Sequence, residues 1–246
     1  MALAQDSGSP LNYFVDYNIG GLGPSSGVLS TQGANRILVA LVSYGGLPVD
    51  LGTVVNPVVS GAGLTWALWG SVRPGGTFQN RGGCFVYAAL APTQLTSQTI
   101  TTDFGVYDGG SEGGTYTTVY VYSGHKDTSV LANNLGNTAS SFDNGTNVAN
   151  QIALSTAASS AAFCATSLAN TNAGWGYATN NGNGVIVNDA GASAAFSLLN
   201  CRYTGTVGGS ITLGSNKSST TGNGAANIAV ELLAAGGGIP LIGWHM

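Results

Sequence analysis

Short runs of β-branched and aromatic residues, separated by clusters of glycine, asparagine and serine, recur along the whole chain and limit the folds that it can adopt. In the clearest run, residues 115–123 (TYTTVYVYS), tyrosine or threonine alternates with valine or threonine. A period of two is typical of a β-strand whose two faces meet different surroundings. Residues 35–44 (NRILVALVSY) are apolar almost without a break, which predicts a strand buried on both faces. The chain is therefore predicted to be all-β.

The remaining strands are predicted from the same signals, apolar or alternating runs bounded by turn-forming residues. The segment 160–170 is rich in alanine and would also suit a helix, but the turn signals on both sides favour a strand. The other predicted strands are residues 12–17, 54–60, 64–72, 84–91, 96–104, 148–155, 184–188, 192–203, 209–213 and 226–233.

This number of strands in 246 residues predicts a jelly-roll-like β-sandwich with extra edge strands and a short C-terminal extension. Eight core strands with a few added edge strands fit the length. The segments 54–60 and 64–72, separated by Gly61, Ala62 and Gly63, resemble a β-hairpin.

The C-terminus differs in character from the rest of the chain. We expect residues 1–234 to form a single sandwich domain and residues 235–246 to form an apolar tail with a glycine hinge. A free apolar tail is unfavourable in water, so the tail is predicted to dock either on its own domain or on a neighbouring molecule. The predicted partner-contact residues are Ile239, Leu241, Ile242 and Trp244.

Charged residues are scarce, at 7% of the chain against roughly 25% in an ordinary soluble domain. Six Lys and Arg residues and a net charge of -4 leave little material for a phosphate-binding surface. Binding to nucleic acid or to an anionic membrane is therefore not expected, and no apolar stretch long enough for a transmembrane helix occurs. A nearly neutral polar surface suits a protein that is packed into an assembly or one that is exposed to an extracellular medium.

Catalytic patterns are weak, and we expect no catalytic residues. Ser123, His125 and Asp127 could be drawn as a triad, but sequence neighbours rarely reach triad geometry, so a polar loop is favoured. No pair of carboxylates stands out for glycoside hydrolysis. Glu231, inside an apolar strand, is predicted to face an edge or to pair with an Arg residue.

Cysteine and aromatic residues are the two further residue types that could form sites. Cys84, Cys164 and Cys201 lie in apolar surroundings and are predicted to be buried thiols, and without a C-x-x-C pair a zinc site is not expected. No other metal site and no cofactor are expected either. Trp175 and Tyr177 lie in a loop-like stretch and are possible contacts for a glycan or a partner, with local packing as the alternative.

Several motifs in order along residues 35–233 carry a resemblance to a known class of proteins. The segment LTW at 64–66 is followed by CFVYAA at 84–89, TITT at 99–102, VYVYSG at 119–124 and ANIAVEL at 226–232. This order resembles the jelly-roll domains of tailed-phage structural proteins. The resemblance implies a virion role, such as a head decoration (cement) protein or a fibre component, and brings no catalytic residues with it.

Two functions of different classes follow as expectations. The first is a capsid decoration subunit, made in the host cytoplasm and found in the virion, that acts as a homo-oligomer (a trimer is favoured) and contacts the major capsid protein or other virion subunits. The alternative is a carbohydrate-binding or receptor-binding domain of a tail or fibre.

Overall fold

A computed structural model describes residues 2–17, 24–46, 56–73, 82–104, 113–143, 149–168, 175–177, 186–191, 197–203, 208–217 and 225–236. These residues form antiparallel sheets with one short 3-10 helix at Leu131–Asn134, so the predicted all-β sandwich class is confirmed. The strands are β1 (Ala4–Gln5), β2 (Leu11–Tyr17), β3 (Ser25–Leu29), β4 (Arg36–Gly46), β5 (Val58–Gly61), β6 (Ala67–Val72), β7 (Gly82–Ala91), β8 (Gln98–Asp103), β9 (Gly113–Ser123), β10 (Leu135–Asp143), β11 (Ala149–Thr156), β12 (Ala161–Leu168), β13 (Trp175–Tyr177), β14 (Ile186–Gly191), β15 (Ser197–Tyr203), β16 (Gly209–Lys217) and β17 (Ala225–Leu232).

Four sheets are stacked in layers. The N-terminal small sheet (β3-β8-β5) packs on the N-terminal large sheet, in which β1 and β2 both pair with β9 in the order β9-β4-β7-β6. The C-terminal large sheet (β10-β17-β12-β15-β14) packs on the C-terminal small sheet (β11-β16-β13). The two large sheets face each other in the middle of the stack. A separate cluster of buried apolar residues fills each of the three spaces between layers.

The two halves of the chain share one strand order. Numbered from β2, the first eight strands are arranged as 1-8-3-6-5 over 2-7-4, and numbered from β10 the last eight strands repeat that arrangement. The pairings of first with eighth and of second with seventh strand are of the jelly-roll kind, whereas the fifth strand lies beside the sixth in the large sheet. The full jelly-roll topology and the division into residues 1–234 and 235–246 stay predictions.

The contact between the two large sheets, here called the seam, is itself approximately two-fold. Strand β4 packs against its own counterpart β12. The contacts of β7 with β12 and β17 are matched by those of the counterpart β15 with β4 and β9. Each central strand is entered through a left-handed residue, Asn35 (φ 52°) before β4 and Ser159 (φ 65°) before β12. The halves therefore meet as two identical subunits meet at an isologous interface.

Strand β4 shows why an unbroken apolar run is needed in the middle of such a stack. Ile37, Val39 and Leu41 point into the seam, while Leu38 and Val42 point into the core of the N-terminal half. All five side chains are fully buried. The predicted burial of this strand on both faces is confirmed, and the reason is that it has a sheet on each side.

The predicted hairpin between 54–60 and 64–72 is wrong. Strand β5 pairs with β8 in the small sheet, and β6 pairs with β7 in the large sheet. The intervening Gly61, Ala62 and Gly63 all have positive φ, from 57° to 114°, which turns the chain from one layer to the next. Alanine at Gly61 would place its Cβ 2.1 Å from the backbone oxygen of Thr99, so only glycine fits there.

Among the described residues, no helix is both long and apolar enough to cross a bilayer.

Candidate functional site

The residues predicted as partner contacts lie in two parts of the chain. Ile239, Leu241, Ile242 and Trp244 fall outside the described residues. Trp175 and Tyr177 are the first and last residues of β13, where the sequence predicted a loop. There Trp175 pairs with Lys217 and Tyr177 with Ser215 in the ladder with β16. The structure therefore places the second pair on the C-terminal small sheet, and its role as a glycan or partner contact stays a prediction.

A cavity of about 570 Å³ lies at the end of the seam where β9 leaves the N-terminal large sheet. It brings together the turn before β4 and the segment that follows β9, and Ala235, the first residue of the predicted C-terminal tail, forms part of its wall. Two of the six basic residues of the chain line it. The lining residues are Ala34, Asn35, Arg36, Ser123, Gly124, His125, Lys126, Asp127, Thr128 and Ala235, and we call this the His125 cavity.

The wall of the His125 cavity is built by backbone pairing between the two halves. His125 and Ala234 form a β-bridge. The N–H of Lys126 donates to the carbonyl of Leu233 at 3.1 Å, and the N–H of Ala235 donates to the carbonyl of Gly124 at 2.8 Å. The segment that leads into the tail is thereby held against the loop after β9.

His125 is the buried titratable group of this cavity. The residue is only 4% exposed, and both ring nitrogens are buried without a hydrogen-bond partner. Burial lowers the pKa of the imidazole, the positive charge of Arg36 lowers it further, and Asp127 opposes the shift. These influences together favour the neutral form of the ring in the folded protein.

The contacts of Ser123 and Asp127 do not assemble a catalytic triad with His125. The Ser123 hydroxyl donates to the carbonyl of Ala4 at 3.3 Å. One Asp127 oxygen accepts from the N–H groups of Ser129 and Val130, and the other accepts from Asn133 Nδ2. These bonds, with that from Asn133 first, hold the pKa of Asp127 well below its usual range. Asp127 thus acts as the organising residue of its loop, which agrees with the polar-loop interpretation.

Arg36 and Asp6 attach the N-terminal segment beside the same cavity. Arg36 Nε lies 2.7 Å from an Asp6 carboxylate oxygen, and the other oxygen of Asp6 accepts the N–H of Gln32 at 2.7 Å. The Arg36 guanidinium also donates to the carbonyl of Ala34 at 2.8 Å. The sequence contained no pattern that joined these residues to His125, because the pairing depends on the return of β9 beside β4.

The predicted environment of Glu231 is wrong. The residue is 1% exposed, and its carboxylate accepts the backbone N–H groups of Asn137 (3.1 Å) and Ala157. The contact with Asn137 falls where the β10–β17 register shifts between Leu135 and Thr138. Glu231 therefore satisfies backbone donors at a bulge and at a turn, a role that needs no arginine.

The titration of His125 predicts acid sensitivity of the fold. Because its pKa is lower in the folded protein than the ordinary 6.5, the unfolded chain binds more protons just below pH 6.5. The contribution of His125 to the free energy of unfolding should therefore be fully present above about pH 6.5. It should decline as the pH falls towards the pKa of His125 in the folded protein. Thermal unfolding measured between pH 7.5 and 5 should show this decline. His125→Gln should flatten the profile in that window, and an unchanged profile in the variant would contradict the assignment.

The three cysteines are also part of the folded interior. Cys84, Cys164 and Cys201 are buried, as predicted. No group of three His, Cys, Asp or Glu residues suited to a metal ion occurs in the part of the chain that the structure describes. No known protein family, no curated protein and no solved structure matches this chain. Support for a function therefore comes from the residues of the chain itself.

Proposed function

We propose that this protein is a structural virion subunit, a capsid decoration (cement) protein that stabilises the shell through protein–protein contacts. The observation that carries the proposal is that three carboxylates stabilise the fold. Asp6 pairs with Arg36, Asp127 organises a loop, and Glu231 accepts hydrogen bonds from backbone N–H groups. The proposal therefore rests on contact between surfaces, with these three carboxylates assigned to the fold.

The outer face of the N-terminal small sheet is an example of that surface. By strand alternation, Ser26, Val28, Val58, Ser60, Thr99, Thr101 and Asp103 point away from the core. Val28 is 61% exposed and Val58 is 60% exposed. A flat face of hydroxyls and valines with one carboxylate presents little charge to a partner, and complementary packing is its means of recognition.

The outer face of the C-terminal small sheet has the same character. Ala153 and Thr212 are ladder partners there, as are Ser155 and Ser210. Because the two small sheets form the ends of a four-layer stack, these faces point in opposite directions. Sheets pack about 10 Å apart, so the two faces lie on the order of 30 Å from one another. A molecule whose two end faces present few charged side chains among the described residues suits a bridge between neighbouring subunits of an assembly.

The proposed partners are the major capsid protein or other virion subunits, and the protein would act as a small homo-oligomer, with a trimer favoured. The tail residues Ile239, Leu241, Ile242 and Trp244 are proposed to add contacts in the assembled state. Binding that occurs only to the assembled shell stabilises that shell by mass action.

The test is the distribution of the protein between particles and supernatant. In a fractionated lysate, the full-length chain should co-sediment with intact particles, and deletion of residues 239–246 should lower its occupancy. The control variant is Phe142→Ser, which removes an apolar side chain that is 58% exposed on β10 and keeps residues 239–246. Its occupancy on particles should stay unchanged. Recovery of the full-length chain only in the soluble fraction would overturn the proposal. Glycan binding by such soluble protein would instead support the carbohydrate-binding alternative.

A further inference from the structure

Two of the three cysteines face each other across neighbouring strands. Cys164 in β12 and Cys201 in β15 are direct partners in the antiparallel ladder of the C-terminal large sheet. Both belong to the core cluster between that sheet and the C-terminal small sheet, so their side chains lie on the same side of the sheet. Both are 0% exposed, and neither is in a disulfide.

The register brings the two residues within bonding range. Directly opposed residues of an antiparallel pair have Cα atoms about 4.5 or 5.5 Å apart, and both values fall within the range of about 4.4–6.8 Å that disulfides span. Their Cβ atoms are about 4.5–5.5 Å apart, against about 3.5–4.5 Å in a disulfide. The strands must therefore close by no more than about 1 Å. We propose that Cys164 and Cys201 form a reversible cross-strand disulfide under oxidising conditions.

The reaction requires an oxidant, and we assign that role to a low-molecular-weight disulfide. The thiolate of one cysteine attacks the small disulfide, which forms a mixed disulfide and releases one small thiol. The thiolate of the second cysteine then attacks the sulfur of the first and releases the second small thiol. Two protein thiols are oxidised, one small disulfide is reduced to two thiols, and the two cysteine protons end on the released thiols.

Cys84 provides an internal control. It lies in β7 and belongs to the seam cluster, on the opposite side of the C-terminal large sheet from Cys164 and Cys201. Its thiol donates to the carbonyl of Ala226 at 3.3 Å, and burial raises its pKa well above the usual range. Cys84 is therefore expected to remain a thiol when the other two are oxidised.

The test uses the whole chain with oxidised glutathione, followed by denaturation, alkylation with iodoacetamide and mass spectrometry. We expect the oxidised protein to take up one alkyl group instead of three. Cys164 and Cys201 lie on the same tryptic peptide, residues 127–202, so this peptide should carry no alkyl group and should have lost two hydrogens relative to its reduced, unalkylated form. Because the thiols are buried, a parallel sample in urea below the unfolding midpoint should give the same product faster, through local opening.

Single variants separate this proposal from general oxidation. Cys84→Ser should lose both of its remaining alkylation sites on oxidation. Cys164→Ser and Cys201→Ser should each keep two, and dithiothreitol should restore all three sites in the wild type. Three alkylated cysteines after oxidation in the urea sample, or a linked pair that contains Cys84, would overturn the proposal. The outcome does not depend on the virion role.

Discussion

Replacement of Phe163 by alanine is expected to lower the free energy of unfolding by about 4 kcal/mol. Phe163 is fully buried in the seam. Its ring lies 4.8 Å from that of Tyr120 and 5.6 Å from that of Tyr122, between centroids. The variant would lose these aromatic contacts and leave a cavity between two sheets that are each held by other strands, so collapse around the site would be small.

The chain contains a matched control for this substitution. Phe142 in β10 belongs to the same large sheet but is 58% exposed, so Phe142→Ala should change the free energy of unfolding by less than about 1 kcal/mol. Chemical denaturation monitored by tryptophan fluorescence would measure both variants. Similar losses at the two positions would contradict the packing of the two halves through the seam.

The second large effect is expected at Asn200, a fully buried amide in β15 that reaches across the seam. Its Nδ2 donates to the carbonyl of Leu41 at 3.1 Å and to Thr118 Oγ1 at 3.0 Å, and its Oδ1 accepts from Ser43 Oγ at 2.7 Å. Asn200→Ala would leave these groups buried without their partner. Since each such group costs about 1–3 kcal/mol, a loss of at least about 3 kcal/mol is expected.

Ser43→Ala is the comparison for Asn200→Ala. It removes one of the bonds and leaves the amide with its other partners, so its loss should be about 1 kcal/mol. The double variant should cost little more than Asn200→Ala alone, because the shared bond is already lost. If Asn200→Ala proved no more destabilising than Ser43→Ala, the network would not contribute as its geometry indicates.

Most strands could be predicted from the sequence because their apolar or alternating runs are unambiguous. Residues 84–91 and 115–123 were placed within two residues of β7 and β9. The segment 160–170, where alanines also suited a helix, is the strand β12. Strands β3 and β10 were missed, since their serines, asparagines and glycines read as loops. Such residues form strands here because neighbouring strands supply the pairing.

The arrangement of the strands could not be predicted in the same way. The equal strand order of the two halves has almost no counterpart in their side chains: β4 is built from leucine, isoleucine and valine, and its counterpart β12 mainly from alanine, phenylalanine and cysteine. In the seam, β12 contributes one large side chain, Phe163, between smaller alanines. The larger aliphatic side chains of β4 fill the space that these alanines leave. Packing conserves total volume rather than identity, which hides the repetition from a search for similar residues.

The candidate site was predictable only in part. The sequence singled out Ser123, His125 and Asp127, which all line the His125 cavity, but it did not indicate that Arg36 lines the same cavity or that His125 forms a bridge with Ala234. The opposition of Cys164 and Cys201 likewise depends on strand register, which spacing along the chain does not reveal.

The two-fold seam has a consequence for how this molecule can vary. In a homodimer every substitution appears twice, so a polar side chain placed beside the axis brings its copy with it. Here the two equivalent positions belong to one polypeptide and can differ. Leu41 in β4 corresponds to Ala165 in β12, and the ladder partner of Leu41 is Val86, whereas the ladder partner of Ala165 is Asn200. A single chain with two similarly arranged halves can thus bury one amide where the symmetry of a homodimer would impose two.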